Sequence, residues 1–243
     1  MFDHVTIRVA DLDASPSFYT RVFELLEFGA PPTEGDGFTE WNQFSIAQAE
    51  PDRPVTRGLH VGFAARDRAH VDSSWRALVE AGYRSDGEPG PRPQYGPEYY
   101  GAFVFDPDGN SVEAVHNHPE RRAGAVDHLW IRVRDAQASK RFYETIAPVV
   151  GFEVRVRPPD RVQFLAEHGT FSVVEGEPTK NVHFAFPAAD RLTVDVFHRV
   201  AVAAGYSDNG APGERPEYHD GYYAAYVLDP DGHNVEAVFH DQH

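Results

Sequence analysis

The chain has 243 residues, with 22 Lys and Arg against 38 Asp and Glu, a formal net charge of −16. Such an acidic surface repels phosphate backbones and anionic headgroups, which argues against nucleic-acid partners and a basic membrane face. Cys is absent, which removes disulfides, thiolate nucleophiles, Fe–S clusters and Cys-ligated zinc, and with no leader pattern at Met1-Phe2-Asp3-His4 and no apolar run near the roughly 18 residues of a membrane span, a soluble cytoplasmic protein is expected.

His4 to Val9 alternates polar and apolar residues and predicts a strand. Phe18, Val22, Leu25 and Leu26 fall at helical spacing and predict a helix over about 12–26, with Asp13 or Ser15 as cap and Pro16 in its first turn. Strands follow over 38–47 and 59–63. A second helix is predicted from Val71 to Glu80, closed by Gly82. Strands over 99–105 and 111–115 flank Asp106-Pro107-Asp108-Gly109, a turn whose Pro presets φ and whose Gly is free to take φ > 0.

The same order then returns. Phe2–Val9 recurs as Val126–Val133 at an offset of 124 residues, and from His60 onward the offset is 123 to the chain end. Asp106-Pro107-Asp108-Gly109 returns as Asp229-Pro230-Asp231-Gly232, and Tyr99-Tyr100 as Tyr222-Tyr223. The chain is a duplicated module: residues 1–118 and 125–243, with a polar link near Pro119-Glu120-Arg121-Arg122-Ala123-Gly124. Each module reads as a strand, a helix and several strands, done twice, which is an α+β architecture of four units.

Each module also carries two His and one Glu on separate strands: His4, His60 and Glu113 in module one, His128, His183 and Glu236 in module two. Two imidazoles and a carboxylate form a facial triad. It suits Fe(II), the expected ion, with Mn(II), Zn(II) or Ni(II) as alternatives, and it leaves positions open for substrate. Imidazole must be neutral to ligate, so affinity is expected to fall below about pH 6.

These residues identify a resemblance. Asp3-His4-Val5 with Phe18-Tyr19, Leu59-His60-Val61-Gly62-Phe63 and Asp106–Glu113, with their repeats through Asp229–Glu236, resemble the vicinal oxygen chelate superfamily of glyoxalase I, bleomycin-resistance proteins and extradiol dioxygenases. The resemblance implies paired βαβββ units whose mixed sheets curl around a metal cavity, and a small-molecule substrate. It leaves homodimerisation open. His219 through Gly232, with His168 upstream of His183, is similar to the extradiol signature, although Glu217 and Ala225 depart from it. That similarity implies an extradiol-like dioxygenase working on a vicinal diol at module two. His168 would be the acid–base group, with His219 and Tyr226 bonding a substrate oxygen. The alternatives are a glyoxalase-like isomerase or lyase, with Glu175 as the nearest extra carboxylate and Gln48 at its counterpart, and a drug-binding protein. Arg92 and Arg215 are candidate anion clamps or surface ion pairs. His116, His118, His240 and His243 read as solvated.

Overall fold

The structure is a computed structural model, and it describes residues 1–29, 31–117, 124–157 and 161–241. Most of the expected link between modules, together with His118 and His243, lies outside these residues. Among the described residues no helix is long and apolar enough to cross a membrane.

Four βαβββ units follow one another. The first holds β1 (Val5–Val9), α1 (Ala14–Leu25), β2 (Thr33–Gly35), β3 (Phe38–Trp41) and β4 (Phe44–Gln48). The second holds β5 (His60–Ala64), α2 (Arg68–Glu80), β6 (Ser85–Pro91), β7 (Tyr100–Phe105) and β8 (Ser111–His116). The third holds β9 (Val126–Val133), α3 (Ala136–Val150), β10 (Glu153–Arg157), β11 (Arg161–Leu165) and β12 (Thr170–Glu175). The fourth holds β13 (Val182–Pro187), α4 (Arg191–Ala203), β14 (Ser207–Glu214), β15 (Tyr222–Leu228) and β16 (Asn234–His240).

Aspartates start three helices. Asp67, Asp135 and Asp190 accept backbone N–H bonds at the caps of α2, α3 and α4. For α1 neither Asp13 nor Ser15 caps by its side chain; Asp11 does, accepting from Asp13 N and Ala14 N. Gly151 closes α3 in the left-handed region at φ 75°, which only a residue without Cβ adopts at no cost.

The units pair across the two halves of the chain. One eight-stranded mixed sheet runs β14-β15-β16-β13-β1-β4-β3-β2, joining units four and one; the other runs β10-β11-β12-β9-β5-β8-β7-β6, joining units three and two. The seams are antiparallel: β1 lies on β13 with Thr6 opposite His183, and β5 lies on β9 with Gly62 opposite His128. Period-two alternation sends Val5, Ile7 and Val9 to the helix-covered core and leaves His4, Thr6 and Arg8 on the opposite face. The core is aromatic, with Phe18, Tyr19, Phe44, Phe63, Phe142 and Tyr143 among its fully buried side chains.

The Asp-Pro-Asp-Gly turns do more than reverse the chain. Asp106 is buried and accepts from Asp108 N, Asn110 N, Asn110 Nδ2 and the Tyr19 hydroxyl at 2.8 Å. Asp229 repeats this with Tyr143 and, in place of the asparagine, His233. Each turn is thereby fixed to a helix of the other unit in its half. Tyr19→Phe removes one donor from a buried carboxylate and should cost about 1–3 kcal/mol, read as a lower urea midpoint at unchanged slope.

Candidate metal centres

Three ligand-type atoms converge at each seam. At centre one, His4 Nε2 lies 3.0 Å from His183 Nε2 and 3.4 Å from Glu236 Oε2, and His183 Nε2 lies 3.0 Å from Glu236 Oε2. At centre two, His60 Nε2 lies 2.9 Å from His128 Nε2, and both lie 3.1 Å from Glu113 Oε2. The expected grouping by module is therefore corrected: His128 meets His60 and Glu113, and His4 meets His183 and Glu236. The first histidine of each half sits on a strand whose seam partner belongs to the other half, so it serves the other half's pair.

The outer atoms of each ring set its tautomer. Asp3 Oδ1 accepts from His4 Nδ1 at 2.8 Å, and Asp127 Oδ1 from His128 Nδ1 at 2.8 Å. Ser111 Oγ lies 3.0 Å from His60 Nδ1 and gives its own proton to Asp86, so it accepts from the ring. The Asn234 amide nitrogen donates to His183 Nδ1 at 2.8 Å while its Oδ1 accepts from Asn209 Nδ2, so His183 carries its proton on Nε2, 3.0 Å from Glu236 Oε2. In His4, His60 and His128 a protonated Nδ1 leaves Nε2 as the atom that faces the centre and ligates once its own proton is lost. Tyr222 donates to Glu236 Oε1 at 2.7 Å and Tyr99 to Glu113 Oε2 at 2.9 Å. Of each tyrosine pair one side chain thus faces a centre, while Tyr100 and Tyr223 turn to Asp72 and Asp195 on the helices.

Charge is held tightly here. Burial opposes ionisation of Glu236 and Glu113, but hydrogen bonds from two histidines outweigh it and keep both below the ordinary range. Burial likewise opposes charge on His4 and His128; their aspartate and glutamate partners together raise them to about 10 and about 9. His60 goes the other way, lowered chiefly by burial. Tyr99 and Tyr222, buried beside a carboxylate, are pushed far above the ordinary tyrosine value and stay protonated as donors.

The residues fit a metal ion. Bonds of about 2.1 Å place neighbouring ligand atoms about 3.0 Å apart on an octahedron and about 3.4 Å on a tetrahedron. Five of the six separations above lie at 2.9–3.1 Å. Glu113 Oε1 is moreover buried with no hydrogen-bond partner among the described residues. Close packing seats the ligands: a Cβ on Gly62 would fall 2.1 Å from the His128 ring, and one on Gly101 would fall 2.0 Å from Glu113 Oε1. Neither fourth-ligand candidate reaches a centre. Glu175 accepts from Ala136 N at the start of α3, and Gln48 bonds backbone carbonyls.

The expected proton-handling trio is not brought together. Tyr226 lies beside centre one, its ring 6.2 Å from that of His183. Both ring nitrogens of His219 are engaged, with His240 and with Asp220 O. His168 sits on the β11–β12 turn in the other sheet, 42% exposed and next to Glu167; a loop position matching in sequence spacing lands on the wrong sheet once units pair across halves. His240 ligates neither centre and stays part-exposed, bonding Asp3 at 3.1 Å. Arg92 and Arg215 bond carbonyls of their own hairpins and lie over Phe103 and Tyr226, with no carboxylate ion pair among the described residues.

Beside His128 opens a cavity of about 340 Å³ with Tyr95, Tyr99, Trp130, Arg155, Arg161 and Gln163 among its walls. Asp3 and Asp127 stand in the family motif but carried no assigned role in the sequence, and Trp130 and Arg161 were given none either. For the aspartates a signal existed, since Asp-His recurs at the head of both halves.

The sequence pattern of the Glyoxalase/Bleomycin resistance protein/Dioxygenase superfamily matches residues 1–114 and 125–237. Glyoxalase I from Zea mays has a similar fold, with a TM-score of 0.70 at 20% identity over 98% of this chain and 92% of that one. So does a protein from Bacillus subtilis subsp. subtilis str. 168 provisionally described as a dioxygenase, with a TM-score of 0.70 at 14% identity over 99% and 85%. No curated protein matches the chain. Gly62→Ala should displace the His128 ring and cost about 1–3 kcal/mol by overpacking. Ala185→Gly at the matching position of centre one should cost no more than about 1 kcal/mol; equal losses in denaturant titrations would show that the ring does not rest on Gly62.

Proposed function

Because the chain belongs to the Glyoxalase/Bleomycin resistance protein/Dioxygenase superfamily, we propose that it is a metal-dependent enzyme that holds a divalent ion at His60, Glu113 and His128 and takes a vicinal diol or similar substrate through two oxygens. The observation that carries this reading is the spacing of the three ligand atoms, 2.9–3.1 Å. Such a spacing would suit three ligands on one side of a six-coordinate ion and would leave positions for a chelating substrate. The two candidates for a second carboxamide or carboxylate ligand are committed elsewhere, which favours an oxygenase over a glyoxalase-type isomerase. His4, His183 and Glu236 form the same set, and we assign them a second ion.

Centre two rather than centre one is proposed for the chemistry because of its cavity, whose 340 Å³ falls in the range of small-ligand pockets. A redox-active ion such as Fe(II) held there would lower the pKa of a chelated diol and pass the diol's electrons to O2, which would thereby oxidise the diol and not the ion. The chain's own residues do the rest. Tyr99, held protonated, anchors Glu113. Asp127 and Ser111 fix the ring tautomers. Trp130 and Tyr95, whose rings meet edge to face, give the cavity two flat aromatic walls against which a ring-shaped substrate would pack.

O2 uptake by the Fe(II)-loaded protein with a catechol panel tests the reaction class; no uptake with any catechol would end the oxygenase reading. Glu113→Gln should abolish uptake while Glu236→Gln keeps most of it, and the reverse result would move the chemistry to centre one. Tyr99→Phe should weaken ion affinity about 10–100-fold.

The pH dependence follows from His128. Its pKa is raised to about 9, so below that value a proton occupies the group the ion needs. Ion affinity should therefore climb between pH 7 and 9 with proton release in calorimetry, a higher window than the ordinary imidazole value indicates. Affinity flat across that range would refute the assignment.

A further inference from the structure

The walls beyond centre two single out a class of ligand. Trp130 stands between the centre and the outer cavity. Its ring meets the His60 ring at 5.7 Å and 69°, and the Tyr95 ring at 5.3 Å and 83°. On the far side the Arg161 guanidinium lies 4.8 Å from the Trp130 ring centroid and 5.7 Å from that of Tyr95. Arg155 opposes Gln163 in the β10–β11 hairpin, and Arg161 stands two residues from Gln163, so period-two alternation puts both guanidiniums on the cavity face. Asp127, the acidic residue among these walls, is committed to His128 Nδ1.

Two arginines gathered in one cavity of a chain with net charge −16 make a local reversal of sign. A guanidinium lying on an aromatic face keeps its edge N–H groups for a carboxylate or phosphate. The other sheet does not repeat this. At the matching register positions stand Thr6 for Trp130, Phe38 for Arg161, Glu40 for Gln163 and Thr33 for Arg155.

We propose that the cavity at centre two selects a planar ligand bearing a carboxylate at the end away from His60, Glu113 and His128, with Arg161 as the group that recognises the anion and Trp130 and Tyr95 as the flat walls beside the ring. The ligand's chelating end rests on the reading given above; its anionic end does not. Arg161 is a specificity-determining residue for the substrate, and centre one does not share the preference.

The test uses three probes and calorimetry on the Zn(II)-loaded chain, in which no oxidation proceeds. Catechol chelates without charge, 3,4-dihydroxybenzoate chelates and adds a carboxylate, and benzoate has the carboxylate alone. The expected result is that 3,4-dihydroxybenzoate binds at least about tenfold tighter than catechol, the value of one charge-assisted hydrogen bond. Arg161→Gln should remove that advantage and leave catechol affinity unchanged. Arg161→Met, which keeps an apolar stem on Trp130, should do the same, so a folding defect in one variant does not decide the matter. Benzoate should bind the ion-free chain in an Arg161-dependent manner. If the ion reading fails, Zn(II) adds nothing to any probe while the benzoate dependence persists. Equal affinity for catechol and 3,4-dihydroxybenzoate, or a preference untouched in both Arg161 variants, overturns the proposal.

Discussion

Two antiparallel strand pairs, β1 on β13 and β5 on β9, are the constraint on which the chemistry of this chain rests. Each unit of a strand, a helix and three strands offers a sheet with one apolar face, and its free edge strand must find a partner. By pairing across halves, each seam brings an imidazole from either side and a carboxylate from the neighbouring strand to one point. His4 and His183 are 179 residues apart in sequence, His60 and His128 only 68. Loop-closure entropy grows with that separation, so centre two closes at the smaller cost and centre one depends on the whole chain being in place.

A buried carboxylate facing two imidazoles is costly to assemble unless each member has a role for its remaining atoms. Here the roles are filled: an aspartate or hydroxyl behind three of the rings, a tyrosine on each glutamate. The absence of Cβ atoms at Gly62 and Gly101 lets these groups approach strand backbone. What converges at centre two, two imidazole Nε2 atoms and Glu113 Oε2 about 3 Å apart, is a set that a divalent ion would take once His128 gives up its proton. The core on the other side of each sheet, dense in Phe and Tyr, gives the strands that carry the ligands a close-packed backing.

The repeat at 124 and 123 residues made the four units, their elements and the residue types at each centre legible, because alternation and turn chemistry are local. It could not say which copies touch. Equivalent strands present equivalent edges, and the choice between pairing within a half and across halves is made by packing over the whole chain. The grouping of His128 with His183 went astray for that reason. The spacing of His168 before His183 misled in the same way, since His168 follows unit three into the other sheet. Trp130 and Arg161 read as ordinary strand residues in sequence; only the hairpin register of β10 and β11 against the seam puts them into one cavity.

The crossed pairing has a symmetry meaning. A lone half holding His4, His60 and Glu113 has every ligand type, yet by this geometry its units face outward and await a second copy. Two identical copies around a twofold axis would complete two identical centres, an isologous arrangement in which each substitution is felt twice. Joining the copies in one chain lifts that degeneracy. A tryptophan at 130 no longer obliges one at position 6, where Thr6 bonds Ser45 instead. The fused chain keeps the scaffold of a symmetric pair and has the freedom to set each centre's surroundings on its own.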